Sequence, residues 1–190
     1  MPRLFTAIEL PDDIRTELYR LHMPLPGARW LKPENYHLTL RFFGDIDGAV
    51  ARELVANLSE IEVDAFELRV QGLGAFGGND PHTVWAGIEP SVSLDGLARA
   101  HEQAARNAGL PPEKRAYRPH ITLVRLRHSG AEPVARYLTH CSGYRSERFF
   151  VSQSVLMSSK PLVGGGPYAI EDRFPLRGGA YVSADGGSTW

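Results

Sequence analysis

The sequence predicts an α+β fold with two lobes, in which two sheet-plus-helix units are related by an approximate two-fold axis and enclose a central cleft. Three observations support this prediction: strand and helix patterns both occur, their order repeats once along the chain, and 190 residues suffice for a single domain. We expect residues 1–175 to form one bilobal domain. Residues 176–190 are rich in glycine and lack periodicity, so they are expected to form a mobile tail.

The predicted elements follow from local patterns. Strands are assigned where apolar residues cluster or alternate, and helices where apolar residues recur every three to four positions. The first half contains a strand at 4–10, a helix at 14–21, a strand at 36–43, a helix at 50–58 and strands at 66–70 and 84–88. The second half contains a helix at 94–108, a strand at 120–126, a helix at 134–139 and strands at 149–156 and 168–174. A long glycine-containing loop is predicted at 72–82, and a hairpin turn at 164–166.

The repeat is visible in the spacing of these elements. His37 and His120 lie 83 residues apart, each at the start of a predicted strand. The strands that begin at 66 and at 149 both lie 29 residues after their histidine. The strands at 84 and 168 are paired in the same way, at 47 and 48 residues. These offsets predict an internal duplication that produces the two lobes.

Both histidines belong to a His-apolar-Thr-apolar motif. The motifs are His37-Leu38-Thr39-Leu40 and His120-Ile121-Thr122-Leu123. Chance would produce about 0.05 such matches in a chain of this composition. Residues i and i+2 of a strand share a face, so each motif places an imidazole beside a hydroxyl on the face opposite its apolar residues.

A two-fold axis between the lobes would bring both pairs into the same cleft. In-line displacement at phosphorus requires a proton acceptor on one side of the phosphate and a proton donor on the other. Two imidazoles meet this requirement, since a histidine can be neutral or charged near neutral pH. Threonine hydroxyls can donate hydrogen bonds to phosphate oxygens, and a nearby arginine can balance the phosphate charge.

Composition excludes several other classes of protein. The net charge of −1 argues against a protein that coats nucleic acid by charge alone. Cys141 is the single cysteine, so there is no disulfide framework. No apolar run is long enough for a membrane helix, and the first residues do not resemble a secretory signal. We therefore expect a cytoplasmic protein that does not associate with membranes.

On these motifs the chain resembles the 2H phosphoesterases, and among them the RNA 2′,3′-cyclic phosphodiesterases. Flanking segments also match this family; they are the residues at 3–11, 30–43, 72–76, 84–87 and 117–125. The resemblance implies a bilobal α+β fold with a pseudo-two-fold cleft and no metal or cofactor. It implies hydrolysis of RNA 2′,3′-cyclic phosphate ends to a 2′-phosphate. Such a protein is expected to act on RNA ends or nucleotides that bear the cyclic phosphate, as a monomer without an obligate protein partner.

The resemblance also implies roles for individual residues. His37 and His120 are the expected acid and base, in an order that the sequence does not decide, and Thr39 and Thr122 are expected to bind the phosphate. An arginine soon after the second motif matters in this family, and Arg125 matches it. Strand alternation turns Arg125 to the wrong face unless a bulge intervenes, whereas Arg41 shares the face of His37. Both arginines are retained as candidates.

Alternatives to hydrolysis remain open from the sequence. One is the reverse chemistry on the same site, the joining of tRNA halves through a 2′–5′ bond, which is also associated with this family. Another is a small cyclic phosphate as the substrate. A third is a non-catalytic module that binds RNA ends, although a binder does not need two titratable groups.

Overall fold

The computed structural model describes residues 3–159 and 168–179, which contain four α-helices and nine strands. The first six elements are β1 (Arg3–Glu9), α1 (Asp12–Tyr19), β2 (Ala28–Trp30), a 3₁₀ turn (Pro33–Asn35), β3 (His37–Gly44) and α2 (Gly48–Ser59). They are followed by β4 (Phe66–Phe76), β5 (Thr83–Ile88), α3 (Val92–Asn107) and β6 (His120–Leu126). The last elements are α4 (Ala131–His140), β7 (Arg145–Val151), β8 (Gln153–Ser159) and β9 (Tyr168–Pro175). No helix in these two ranges is long and apolar enough to cross a membrane.

The strands form one antiparallel sheet with the motif strands at its centre. Its order is β7-β4-β5-β6-β3-β1-β8-β9, and β2 pairs with β6 outside this path. A two-fold operation at the β6–β3 seam exchanges β5 with β1, β4 with β8 and β7 with β9. The predicted α+β architecture with two related lobes is confirmed.

The seam between the lobes is narrow. A single residue pair, Leu38↔Ile121, joins β3 to β6. Beyond this pair, β6 is hydrogen-bonded to β2 instead of β3, through the pairs Trp30↔Val124 and Ala28↔Leu126. The motif strands therefore separate immediately after they meet, and this separation opens the cleft.

Several details of the predicted repeat and of its elements are wrong. The repeat predicts that the strand at 84, which is β5, corresponds to the strand at 168, which is β9. However, β5 lies beside motif strand β6 just as β1 lies beside β3, whereas β9 lies at the outer edge next to β8. The pairing of the strands at 66 and 149 also fails, because β4 and β7 are hydrogen-bonded neighbours within one lobe. The predicted strand at 149–156 is in fact the end of β7 and the start of β8. The predicted loop at 72–82 is also too long, because β4 continues to Phe76. Its glycines misled the prediction: Gly74 lies in the strand, where a Cβ atom would come within 2.3 Å of the Trp85 ring.

The helices pack against one face of the sheet. We call the opposite face the open face, although β1 and β8 carry a small buried cluster on it, namely Phe5, Ala7, Val155 and Met157. Leu38, Ile121 and Leu123 from the motif strands lie in the main core with Ile14 of α1 and Leu97 of α3. These side chains are almost fully buried, at 0–1% exposure. Because side chains alternate along a strand, the neighbouring histidines and threonines lie on the open face.

The predicted tail begins within the folded part of the protein. Leu176 is buried, and Arg177 accepts a hydrogen bond from the amide of Ala65 and donates one to the carbonyl of Val63. Residues 180–190 and the predicted turn at 164–166 lie outside the described residues.

Candidate active site

The two motifs meet on the open face, across the seam. The pair Leu38↔Ile121 places His37 opposite Thr122 and His120 opposite Thr39. His37 and His120 are therefore diagonal neighbours across the two strands. In a continuous ladder the side chains of such a diagonal pair are about 7–8 Å apart. Here the ladder contains one pair, so the strands diverge and the space between the two rings widens. The structure thus brings together all four motif side chains predicted from the sequence.

Both imidazoles are held by the same backbone contact. Nδ1 of His37 lies 2.8 Å from the carbonyl oxygen of Asn35, and Nδ1 of His120 lies 2.6 Å from that of Arg118. A carbonyl oxygen has no proton to give, so Nδ1 must be the donor in each ring. Each neutral ring therefore presents its Nε2 lone pair to the cleft, and each charged ring presents an Nε2 proton.

Aromatic side chains fix the plane of each ring. His37 lies 4.8 Å from Tyr168 in an edge-to-face arrangement and 5.0 Å from Phe5. His120 lies 5.0 Å from Phe76, also edge to face, and 6.1 Å from Trp85. These neighbours restrict rotation of the imidazoles and exclude water from one side of each.

Burial makes His37 a neutral residue at physiological pH. Desolvation lowers the pKa of His37 to about 4, and the nearby His120 and Arg125 lower it further against the opposing effect of the Asn35 carbonyl. The contributions of His120 and Arg125 place both groups within electrostatic reach of the ring. His37 is thus available as a proton acceptor without prior deprotonation.

A bulge in each motif strand decides which arginine reaches the cleft. In β6 the register skips Leu123: Trp85 pairs with Thr122, Val84 with Val124 and Thr83 with Arg125. Thr83 and Trp85 share a face of β5, so Arg125 lies on the same open face as Thr122. Arg125 is therefore positioned near the predicted phosphate site.

The corresponding bulge turns Arg41 away from the cleft. Thr6 pairs with Arg41 and Ala7 with Thr39, so Leu40 is skipped. Thr6 is buried under α3, where its hydroxyl lies 3.0 Å from Nδ1 of His101. The expectation that Arg41 shares the face of His37 is therefore wrong, because it assumed unbroken alternation.

Arg41 instead anchors the helical layer. Its Nε donates to Glu102 of α3 at 2.5 Å, and Nη2 donates to the Pro111 carbonyl at 2.7 Å. Nη1 lies 3.6 Å from Glu113. The segment that carries Pro111 also carries Tyr117, whose hydroxyl donates to the Thr39 carbonyl at 3.2 Å. Arg41 thus stabilises the connection between α3 and the second motif.

Sequence reasoning missed Phe42. It lies five residues after His37, as Arg125 lies five residues after His120, and its side chain is 53% exposed on the open face. Its ring is 5.3 Å from Phe5, which in turn contacts His37. The 83-residue offset relates Phe42 to Arg125 and could have identified the position. The cleft thus has an aromatic end in one lobe and a cationic end in the other.

The chain is similar to known phosphoesterases. A family model described as "LigT like Phosphoesterase" matches residues 8–86 and again residues 88–168. An RNA 2′,3′-cyclic phosphodiesterase of Bacillus subtilis is 30% identical over 167 residues, which are 83% of this chain and 91% of that protein. A protein of the same name from Archaeoglobus fulgidus is 29% identical over 168 residues, 84% of this chain and 95% of that protein.

Solved structures show the same architecture. Escherichia coli LigT in complex with 3′-AMP matches with a TM-score of 0.76 and 26% identity, over 93% of this chain and 99% of that one. The boundary between the two matches of the family model falls at residue 87, within β5, and each match contains one His-x-Thr motif.

Proposed function

Because the chain belongs to the LigT-like phosphoesterase family, we propose that it hydrolyses 2′,3′-cyclic phosphates at RNA ends and leaves a 2′-phosphate. The observation that carries this proposal is the pair of imidazoles on one face, each with Nδ1 held by a backbone carbonyl and with Nε2 lacking a hydrogen-bond partner among residues 3–159 and 168–179. A phosphate between them would have a proton acceptor on one side and a donor on the other.

His37 acts as the base in this proposal. Its lowered pKa keeps it neutral at pH 7, and its Nε2 can accept a proton from a water molecule. The water oxygen then forms a bond to phosphorus on the side opposite the leaving oxygen.

His120 acts as the acid. As the bond between phosphorus and O3′ breaks, Nε2 of a protonated His120 donates its proton to O3′. One water is added in total; His37 ends protonated and His120 neutral, and exchange with solvent restores both. Both groups come from one chain, so a monomer suffices for the chemistry.

The remaining site residues stabilise the negative charge on the phosphate. The hydroxyls of Thr39 and Thr122 lie beside the imidazoles and can donate to the non-bridging oxygens. Arg125 supplies a positive charge on the same face. Donors fixed before the reaction begins contribute most to rate when charge develops in the transition state, typically 10²- to 10³-fold each. Exposed Phe42 offers a surface on which the terminal base can stack.

Product analysis tests this proposal. The protein is incubated in EDTA with 2′,3′-cyclic AMP and with a short RNA ending in a cyclic phosphate, and the products are compared with 2′- and 3′-phosphate standards by chromatography. We expect the 2′-phosphate, with the rate reduced at least 10²-fold in His37→Ala and His120→Ala. Arg136→Ala, on the exposed surface of α4, is the matched control and should be unaffected. A 3′-phosphate product or unimpaired histidine variants would refute the mechanism, and a joined RNA product would indicate ligation.

A further inference from the structure

A cluster of arginines lies on the open face outside the two motifs. Glu89, just after β5, accepts from Nη2 of Arg145 at 2.5 Å and from Nη2 of Arg148 at 3.0 Å. Arg69 of β4 belongs to the same cluster, since its charge also acts on Glu89. We name these four residues the Glu89 patch. Three positive charges against one negative give the patch a net charge of +2.

Strand register places the patch on the face of the catalytic histidines. Gly87 pairs with His120, and Glu89 follows two residues later on the same face of β5. The Glu89 amide donates to the Arg69 carbonyl at 2.9 Å, and Arg69 pairs with Arg148. Arg69 alternates with two core residues of β4, so its side chain is on the open side.

The distance from the catalytic centre follows from the sheet geometry. Strands lie about 4.8 Å apart and rise about 3.3 Å per residue. The Cα atoms of Arg69 and Arg148 are therefore about 12 Å and 16 Å from that of His120. Successive phosphates of a stacked strand are about 3.4 Å apart along its axis, so the patch spans the positions of phosphates a few nucleotides upstream of the cyclic end.

The arginines of the patch are held in place yet accessible. A hydrogen bond from Arg145 lowers the pKa of Glu89, so the carboxylate stays ionised and fixes both guanidinium groups. The side chains of Arg145 and Arg148 remain 53% and 48% exposed. Nε of Arg69 is buried without a hydrogen-bond partner among residues 3–159 and 168–179. Fixed, accessible guanidinium groups are suited to binding phosphate because little entropy is lost on contact.

An exposed aromatic residue completes the surface. Phe150 lies two residues after Arg148 on β7 and is 53% exposed, whereas its neighbours Phe149 and Val151 point into the core. Alternating cationic and aromatic side chains are typical of surfaces that bind single-stranded nucleic acid. Glu67 lies opposite Phe150 and limits the positive region on the side away from His120.

We propose that the Glu89 patch binds the backbone phosphates upstream of the cyclic end and thereby makes the protein prefer RNA strands to mononucleotides. This inference rests on the proposed function. The recognition is by charge and is independent of base sequence. The RNA strand would leave the catalytic centre across β5 and β4 towards β7.

The test compares a substrate that reaches the patch with one that does not. The kcat/KM values are measured for a five-nucleotide RNA ending in a 2′,3′-cyclic phosphate and for 2′,3′-cyclic AMP. The variants are Arg145→Gln/Arg148→Gln, Glu89→Gln and the control Arg99→Gln/Arg136→Gln, whose exposed arginines lie on helices α3 and α4. Circular dichroism and thermal unfolding confirm that each variant is folded.

The double patch variant should lower kcat/KM for the pentanucleotide about 10-fold and leave the mononucleotide unchanged. Its slope of log(kcat/KM) against log salt concentration should become shallower by about 0.7 for each lost contact. Glu89→Gln removes the one negative charge of the patch and keeps an amide oxygen that can accept from a guanidinium group, so it should raise kcat/KM for the pentanucleotide. The control should match the wild type. An equal ratio of the two substrates in all variants would overturn the inference.

Binding separates this inference from the proposed function. Fluorescence anisotropy of a 5′-labelled pentanucleotide reports on the patch without turnover. If the wild type hydrolyses neither substrate, the proposed function fails, and the patch is still supported if the double variant binds the labelled RNA about 10-fold more weakly. Equal binding by the wild type and the double variant contradicts the patch whatever the activity.

Discussion

Arg41 and Arg125 follow the two motifs at nearly the same distance, yet the bulges send them to opposite faces of the sheet. We therefore expect the same substitution, arginine to alanine, to have opposite consequences at the two positions. Arg41→Ala should lower stability and preserve activity in the folded protein. Arg125→Ala should preserve stability and lower activity.

The size of the first effect follows from the contacts of Arg41. The side chain is 10% exposed and donates to Glu102 and to the Pro111 carbonyl. Hydrogen bonds to charged groups contribute about 1.5–3 kcal/mol each, but Glu102 and Glu113 are 28% and 32% exposed and can be partly rehydrated. We expect a loss of about 2 kcal/mol in the free energy of unfolding, which lowers Tm by about 4–8 °C in a chain of this size.

The size of the second effect follows from the exposure of Arg125. Substitutions of exposed residues usually change stability by less than about 0.5 kcal/mol. Loss of a charge that faces the developing phosphate charge should reduce kcat/KM by about 10²- to 10³-fold. Since the positive charge of Arg125 lowers the pKa of His37, its removal should also raise that pKa.

The assays are thermal unfolding and the hydrolysis of 2′,3′-cyclic AMP, both measured on Arg41→Ala and Arg125→Ala. A 100-fold loss of activity in Arg41→Ala at unchanged Tm would show that Arg41 faces the substrate. A large drop in Tm with full activity in Arg125→Ala would show that the register assigned to β6 is wrong. Either result would refute the bulge assignment.

Three further predictions concern protonation and packing. His37 must be neutral to act as a base, and its pKa is about 4. The value of kcat/KM should therefore rise through about pH 4 and show no further gain from this group above about pH 5. A steady fall of kcat/KM from pH 4 upward would instead identify His37 as the acid. Burial lowers the pKa of His101 to about 3, against about 6.5 in the unfolded chain. Between these values the unfolded state binds one more proton than the folded state, so the free energy of unfolding should fall as the pH drops from about 6.5 towards 3. Urea denaturation measures this fall, which should be less steep in His101→Gln. In Gly74→Ala the new Cβ atom would lie 2.3 Å from the Trp85 ring, so the substitution should displace this ring from beside the active site and lower both kcat and Tm. The control Gly96→Ala, in open space on α3, should raise Tm slightly.

The sequence was sufficient for the parts of the fold that depend on local patterns. The strand at 120–126 is found with its predicted bounds, and the motif strand at 36–43 shifts by one residue. The motif histidines and threonines could be assigned to one face because alternation holds over those few residues. Their meeting across a seam was predicted from the repeat alone.

Features that depend on interactions between strands could not be predicted in the same way. The face of Arg125 depends on a bulge opposite β5, although the doublet Leu123-Val124, both buried, breaks strict alternation and indicates it in retrospect. The bulge near Arg41 leaves a weaker signal, because a charged side chain next to Leu40 still fits an alternating pattern. Residue 74 of β4 is a glycine because the Trp85 ring occupies the space where a Cβ atom would lie. This is a contact between β4 and β5 that composition alone does not reveal.

The division of acid and base between the two histidines is the central claim, and a change of leaving group tests it most directly. In 3′-deoxyadenosine 2′-(4-nitrophenyl phosphate), the aryloxide takes the place of O3′ and leaves without protonation. We predict that His37→Ala and His120→Ala both lose at least 10²-fold in kcat on 2′,3′-cyclic AMP. On the aryl ester, only His37→Ala should remain impaired, and His120→Ala should approach the wild-type rate. Recovery by His37→Ala instead, or equal loss in both variants on the aryl ester, would contradict the assignment of His120 as the acid.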